Sequence, residues 1–598
     1  MKIYKKVSDN YYFLSGIISF IIYFLTTSRS IGEIDSGELA AVQATWGIAH
    51  PTGYPMFSLL GYLYSKLPIA EPLIFQLNLF QAILNSLTVI ILNLTIHKIL
   101  ENLYLFVDEK KFSYLHTLRL NDNIVKSVSF LSALVFAFSI TFWKQATRVE
   151  VYSLQIFLTS IIIYYLLRVV ISSSENKVVE NKNWYLIAIL IGLAFSNHLM
   201  TLYLLPATIY TFFVVNKPSK RSYILFTQLM LISFSIAFFF YLLMMFRAQS
   251  NPEYTFMNEP RSFGALIDYV RGKYYESKMF QGIESVKKQS YQFLNILSFS
   301  NESGFTGGEF GFFIIPVFSG MVFILIFLKR LRIFYSLLII TSLFFVLNYS
   351  IPDIDEYFLV IFLLFTIASA IVTGILTQLI WKVKLVLLVF LYALLFWQVK
   401  SNYPEIDRSN DYVIEDYATE VLNLLPSNAI VLTSDWPLFA APSYFLQYAL
   451  NIRKDVEVLG VEMLPLPSYK LELKQKYKTV ENLLKNDYFV TMDVFKDYIR
   501  KGKFNLAGKT LIPEGLCFRV SSDTSYSKFA PVPKRMRFLN KRTIFHDYLY
   551  HLTGFMLETR ARYELQYDKV SNAQKFLSII KKDYPDYNIS HELIKYVE

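Results

Sequence analysis

The sequence is short of cysteine and short of charge. Cys517 is the single cysteine in 598 residues, which excludes an intrachain disulfide framework and any cysteine-based metal cluster. Charged residues make up 18%, against about 25% in an average soluble domain. No Walker A sequence and no Gly-x-Gly-x-x-Gly occurs, so the usual cradles for a cytosolic nucleotide are missing. No His-x-x-x-His or Cys pair points to zinc. What fills the chain instead is apolar: 54% hydrophobic residues, with 53 Phe and 43 Tyr. That is the composition of a polytopic membrane protein. The net charge of +11 does not imply nucleic acid, because the basic residues fall mostly in short connections between apolar runs.

Apolar runs recur at 11–27, 72–96, 124–142, 151–170, 184–197, 199–215, 223–246, 309–328, 333–350, 357–380 and 384–399. By the length needed to cross a bilayer these predict about eleven transmembrane helices. The run 56–67 is too short and interrupted to span, and reads as a helix on the membrane surface. Met1–Lys6 and the run after it resemble a signal peptide, but Thr26-Thr27-Ser28-Arg29 is a poor cleavage site, so an uncleaved first helix is expected. Lys2, Lys5, Lys6, Lys98, Lys110, Lys111, Arg119, Lys177, Lys182, Lys217, Lys220, Arg221, Lys329, Arg330, Arg332, Lys382 and Lys384 all fall on one side if the N-terminus is cytoplasmic. An odd number of spans then leaves everything after residue 400 outside.

That topology gathers the unusual polar residues on the non-cytoplasmic face. The first external loop, 28–71, holds Glu33, Asp35, Glu38, His50 and Tyr54 in Gly/Pro-punctuated sequence. Lys144, Arg148, Glu150, Asn197-His198, Arg247 and Asp353-Ile-Asp-Glu356 lie on the same side. Ionisable groups at a membrane face are costly to keep and are functional candidates by default; a cavity opening on that face accounts for the sorting. The bland alternative for Asp35-Ser-Gly-Glu38 is a helix-capping box. The long segment 247–308 is expected to carry a surface or re-entrant helix within Pro260–Met279.

The chemistry these residues allow is transfer to a hydroxyl. A carboxylate can take the hydroxyl proton, and Asp35 and Glu38, three apart, share a face of a helical turn. Arg148 and Arg247 could stabilise a phosphate leaving group, with Lys144, His50 and His198 behind them. The competing reading for the arginines is snorkelling at the membrane interface; for Glu150 it is an acid at a helix start; for His198 it is a structural hydrogen bond. A divalent metal is possible through Asp353, Asp355, Glu356 and Asp35, but nothing compels one. With nucleotide motifs missing and the acids outside, a lipid-linked donor entering from the bilayer fits best.

Beyond residue 400 charge returns. Ala429–Asp435 reads as a buried strand, Leu438–Asn451 as a helix and Val456–Val461 as a second strand, a small parallel α/β unit. Ala561–Leu565 and Ser571–Leu577 resemble one tetratricopeptide-like helix pair in a helical tail. The expected domains are a membrane domain over 1–400, an extracytoplasmic α/β domain over 401–540 and a helical tail over 541–598.

Asp35-Ser-Gly-Glu38, Ala49-His-Pro-Thr-Gly-Tyr-Pro55 and Leu59-Leu-Gly61 together resemble the signature of a GT-C class multi-span glycosyltransferase family. This family includes the protein O-mannosyltransferases of plexin-type receptor domains and bacterial relatives. The resemblance continues through Phe142-Trp143, Glu150–Leu154, Gly192–His198, Arg247-Ala248 and Glu259-Pro-Arg261. Thr52 and Glu259 depart from the family pattern without removing a carboxylate or imidazole. The resemblance implies a GT-C fold, a polyprenyl-phosphate sugar donor, with mannose the expected sugar, and Asp35 as the catalytic base. Glu38 would be a second acid or would position the acceptor. His50, Tyr54, Arg148, Glu150, His198 and Arg247 would bind the donor. The acceptor would be Ser or Thr of an extracytoplasmic protein. A lipid or surface glycan as acceptor, or a transporter or flippase, are the alternatives. A scaffold whose external tail binds partners would leave the sorted acids unexplained.

Overall fold

In lipid a backbone must satisfy its own N–H and C=O groups, so an apolar run that enters the bilayer becomes a helix. All eleven runs are helical in the computed structural model, which describes residues 10–597 apart from 109–110, 176–178, 299, 302–303, 306–307, 352, 381, 467–468, 472, 475–483 and 540–542. Lys2, Lys5, Lys6, Lys110 and Lys177, named above, lie outside the described residues. The helices of the membrane region are α1 Tyr12–Thr26, α2 Ser36–Thr45, α3 Pro55–Ser65, α4 Leu73–Glu101, α5 Asp122–Ala137, α6 Tyr152–Ser174 and α7 Asn181–Phe195. They continue with α8 Leu205–Asn216, α9 Lys220–Gln249, α10 Ile314–Phe327, α11 Lys329–Leu347, α12 Leu359–Leu379 and α13 Lys384–Ile406.

Seven helical stretches among the described residues are long and apolar enough to cross a membrane by length and composition, those containing α4, α6, α8, α9, α11, α12 and α13. The expected count of about eleven is larger because α1, α5, α7 and α10 have only 15, 16, 15 and 14 residues. At 1.5 Å per residue each is shorter than the roughly 30 Å hydrocarbon core. The run 56–67 forms α3, which lies against α2 and is too short to span.

α12 is the hub of the membrane region. Its residues from Leu359 to Ile371 are buried throughout, and it packs on α10 so closely that a methyl group on Gly320 would overlap the Ala368 carbonyl. Close backbone approach at small residues is how membrane helices associate when lipid removes the hydrophobic drive between them. Polar side chains add crossing points. From α4, Asn78 donates to the carbonyls of Ser28 and Ser30, Asn85 to that of Phe142, and Asn93 to the Ser15 hydroxyl. From α13, Gln398 and Asn402 donate to the Phe138 carbonyl. α13 turns Leu385, Val386 and Phe396 outward, as a lipid-facing helix would.

Among its described residues the 247–308 connection carries two α-helices, Phe263–Val270 and Ile283–Ile296. The first falls inside the segment expected from the sequence; the second was not anticipated, because its apolar residues are spaced among Lys, Gln and Ser. Both leave large apolar side chains uncovered, among them Phe263, Ile267, Ile283, Tyr291 and Leu294.

After α13 comes α14, Val413–Leu424, and then a five-stranded sheet. Its strands are β1 Ile430–Thr433, β2 Glu457–Gly460, β3 Tyr488–Val490, β4 Thr510–Glu514 and β5 Cys517–Ser521, in the order β2-β1-β3-β5-β4. β1 runs parallel to both β2 and β3, while β5 is antiparallel to β3 and closes a hairpin with β4. The strand–helix–strand expected at 429–461 is therefore present. Chain connections leave β1 and β3 toward opposite sides, so their carboxyl ends form a topological switch point, where α/β sheets commonly place functional loops. Two antiparallel helices, α15 Ile544–Gln566 and α16 Val570–Asp583, pack through Leu557, Ala561, Phe576 and Leu577. They are the single helix pair expected in the tail.

Candidate active site

The loop from Ser28 to Asp35 leaves α1 and is held on three sides. Asn78 of α4 grips the carbonyls of Ser28 and Ser30; the Ser28 N–H donates to the Thr147 carbonyl at 3.0 Å; and the Ser30 hydroxyl donates to Glu415 of α14 at 2.6 Å. The loop delivers Asp35 to the start of α2. Asp35 stands at the N-cap position, yet its side chain makes no capping bond. The capping-box reading of this stretch is thereby replaced: the carboxylate points away from its own helix and accepts a hydrogen bond from the indole N–H of Trp436, 2.6 Å from Oδ1.

One turn further, Glu38 is completely buried. Its Oε1 accepts the backbone N–H of His50 at 2.8 Å and the Tyr254 hydroxyl at 3.3 Å; its Oε2 lies 2.6 Å from His50 Nδ1. The other ring nitrogen of His50 lies 3.0 Å from the Tyr54 hydroxyl and 3.7 Å from Asp35 Oδ2. Asp35, Glu38, His50 and Tyr54 thus form one connected cluster. Burial alone would lower the His50 pKa, but Glu38 and then Asp35 overcome it and raise it to about 9. At neutral pH His50 is an imidazolium between two carboxylates.

Around this cluster the walls are aromatic. Tyr54 stacks on His198 with ring centres 5.6 Å apart and planes 1° from parallel. Tyr152 and Tyr357 close the other sides of His198 at 5.6 and 5.5 Å. His198 Nδ1 accepts the Met200 N–H at 3.1 Å. Burial, and then the nearby charge of His50, push the His198 pKa down to about 3, so this imidazole is neutral.

A second group of charges adjoins the loop. Arg148 is buried and pairs with Glu33, with Glu356 at 3.3 Å and with Glu150 at 3.7 Å; Lys144 reaches Glu33 at 3.2 Å. Arg148 is therefore held inside the protein by three carboxylates, and membrane-interface snorkelling does not describe it. Burial would raise the Glu33 pKa, but Arg148, Lys144 and Arg408 draw it well below the usual carboxylate range. Glu150 behaves oppositely. Burial lifts its pKa well above normal against the pull of Arg148, and Asp35, Glu356 and Asp353 add to the rise.

Arg247 is the candidate set apart from the others. Its Nε donates to the Trp46 carbonyl at 2.8 Å, a second N–H reaches the Thr45 carbonyl at 3.3 Å, and the guanidinium lies 4.8 Å over the Trp46 ring. Trp46 ends α2 in the left-handed conformation. Arg247 therefore braces the carboxyl end of α2, where a cation is favoured, with the ten residues of the helix, about 15 Å, between it and Asp35.

Among the described residues no group of three or more His, Cys, Asp or Glu is arranged to hold a metal ion. The acids considered for that role are turned to other partners: Asp35 to Trp436, Asp355 to Gln292 at 2.7 Å, and Glu356 to Arg148 and Gln145.

Two participants were not picked out in the sequence. Tyr254 has no local signature for its contact; Glu356, considered in the sequence as a metal ligand, pairs instead with Arg148. Trp436 has a faint one, since Ser434-Asp-Trp-Pro437 follows a predicted parallel strand at its carboxyl end, the position where such sheets place functional groups.

Residues 35–222 match the family described as the protein O-mannosyl-transferase TMEM260 N-terminal domain. The chain is 23% identical over 538 residues to the protein O-mannosyl-transferase tmem260 of Dictyostelium discoideum, a match covering 80% of this chain and 60% of that protein. It is 24% identical over 471 residues to TMEM260 of Mus musculus, covering 75% of this chain and 62% of that protein. The chain thus spans less than two thirds of the length of these relatives. Its fold is similar to that of ArnT from Cupriavidus metallidurans in the apo state, with a TM-score of 0.52 at 9% identity over 85% of this chain and 97% of that one. ArnT bound to undecaprenyl phosphate gives a TM-score of 0.51 at 10% identity, over 87% and 98%. The chain is thus similar to the TMEM260 protein O-mannosyl-transferases over most of its length and shares the fold of ArnT.

Proposed function

We propose that this protein moves a sugar, mannose in the first instance, from a polyprenyl-phosphate donor to Ser or Thr hydroxyls of extracytoplasmic proteins. The observation that carries the reading is the Asp35 carboxylate. It is partly exposed, it is engaged through one oxygen only by Trp436, and it stands beside the Glu38-bound imidazolium of His50. A lipid-linked donor is supported by the fold shared with ArnT, one structure of which contains undecaprenyl phosphate.

In the proposed step the acceptor oxygen bonds to the anomeric carbon while the bond from that carbon to the phosphate oxygen breaks. The hydroxyl proton passes to Asp35, and the electron pair leaves with the polyprenyl phosphate. Such a leaving group needs charge stabilisation more than a strong acid. Glu38, sealed from solvent, serves by keeping His50 charged and oriented. Tyr54 and His198 form an aromatic wall for the sugar. Arg148 and Glu150 set the shape of the donor side, where Lys144, 35% exposed, offers a cation to phosphate. Arg247 holds α2 and so the loop that carries Asp35. The basic residues at the opposite helix ends support a non-cytoplasmic position for this face.

The test is transfer by purified full-length protein from polyprenyl-phosphate mannose to Ser/Thr peptides, with Asp35→Asn as the control. Mass spectrometry of envelope proteins, with and without the protein, extends it to the cell. Hexose lost from Ser/Thr peptides supports a protein acceptor. Hexose lost only from glycolipid makes the acceptor a lipid, and transfer by Asp35→Asn at the native rate removes Asp35 as base.

A further inference from the structure

We infer that the catalytic centre is composite: the soluble domain supplies Trp436 as the residue that positions the Asp35 carboxylate. The inference rests on the reading of Asp35 as base. Two independent contacts carry it. The first is the bond from Trp436 Nε1 to Asp35 Oδ1 at 2.6 Å, between residues 401 positions apart. The second is the docking of the helical turn Ala441–Tyr444, just after Trp436, onto α2. There a Cβ on Gly37 would stand 2.5 Å from the Ala441 carbonyl oxygen and 2.6 Å from Pro442 Cα. Such spacing is below any normal contact, so the glycine of Asp-Ser-Gly-Glu is the place where the soluble domain touches the catalytic loop backbone to backbone.

Trp436 is itself firmly placed. The loop after β1 is tied by Asp493, which follows β3 and accepts both the Ser434 N–H at 2.6 Å and the Ser434 hydroxyl at 2.5 Å. Asp435 accepts the Leu438 N–H at 3.0 Å, and Pro437 stiffens the turn. Phe256 and Tyr444 pack edge-on against the indole at 6.0 and 5.9 Å. The sheet therefore aims an N–H at one carboxylate oxygen. Oδ2, which lies 3.7 Å from His50, is left to receive the acceptor proton. A rigid donor on the first oxygen fixes the direction of the second, which is what a general base requires.

The experiment uses the full-length protein in detergent with polyprenyl-phosphate mannose and a Ser/Thr peptide. Trp436→Phe keeps a ring and removes the N–H. Its kcat is expected to fall tenfold to about a hundredfold, as for a lost hydrogen bond to a charged group, with KM for the donor within about twofold. Gly37→Ala, which forces the two backbones apart, should lower kcat in the same direction. A thermal-unfolding cycle on Asp35→Ala, Trp436→Phe and the double variant reads the contact without any donor, and its shifts should be non-additive. A native kcat in Trp436→Phe overturns the inference while leaving Asp35 as base if Asp35→Asn is inactive. Additive thermal shifts overturn the contact itself. Full transfer by Asp35→Asn overturns the function proposed above, and with it the catalytic part of this inference.

Discussion

Glu38 meets His50 twice, through the backbone N–H at 2.8 Å and through ring Nδ1 at 2.6 Å, with no exposed surface of its own. A carboxylate is acceptor-only, so both bonds suit it. Glu38→Gln replaces one oxygen with an amide donor and leaves one of those contacts donor against donor. The expected cost is about 1–3 kcal/mol, seen as a lower unfolding midpoint, together with a drop in transfer of about tenfold or more as His50 loses its charge and aim. Stability by thermal unfolding and initial rates on the same preparation check both.

The raised pKa of His50 makes stability depend on pH with a definite sign. Folding raises it from an ordinary value near 6.5 to about 9. Its contribution is full below about 6.5 and is lost as pH rises through about 9. The unfolding midpoint of the native protein should therefore fall between pH 7 and pH 9.5. His50→Gln should start lower and show a flatter slope over that interval. Equal slopes would mean that the Glu38–His50–Asp35 cluster does not hold the extra proton.

Arg148 compensates Glu33, Glu150 and Glu356 at once. Arg148→Met leaves those acids buried without their cation, and breaking a buried pair in this way costs about 3–5 kcal/mol. Little folded protein is expected. Arg148→Lys keeps the charge but not the planar fork that reaches several carboxylates, and should fall between the two. The double change Arg148→Met with Glu33→Gln should recover part of the loss. Yield after size exclusion and the unfolding midpoint order the variants.

At the α10–α12 crossing, Gly320 faces the Ala368 carbonyl with no room for a side chain. Gly320→Ala should lower the unfolding midpoint, and Gly320→Leu should prevent recovery of monodisperse protein. The cause is helix separation, not lost chemistry, so any Gly320→Ala protein that folds should transfer at close to the native rate per molecule.

Much of the fold is legible in the residues alone. All eleven apolar runs are helical, and seven helical stretches among the described residues are long and apolar enough to cross a membrane. The strand–helix–strand at 429–461 is readable from its β-branched runs and turn residues. The helix Ile283–Ile296 is not legible because Lys287, Lys288 and Gln289 break the apolar signal of a helix that lies along the structure with one face exposed. In the site, Asp35, Glu38, His50 and Tyr54 were named together from one loop, and the fold brings them within hydrogen-bonding range or close to it. Arg247, which the sequence offers as a stabiliser of a phosphate leaving group, has its guanidinium at the far end of α2.

What the sequence by itself determined is therefore local: which segments are helical, which loop carries acids and an imidazole, and that Asp35 and Glu38 lie one turn apart. Spacing and hydropathy act over a few residues, and they suffice for that. What only the tertiary structure decided is how those two acids part company. Glu38 turns inward to His50, while Asp35 turns outward to Trp436, a residue 401 positions away in the loop after β1. No local propensity encodes that partner. It follows from a sheet that aims the loop after β1, and from a glycine at position 37 small enough to let that loop arrive.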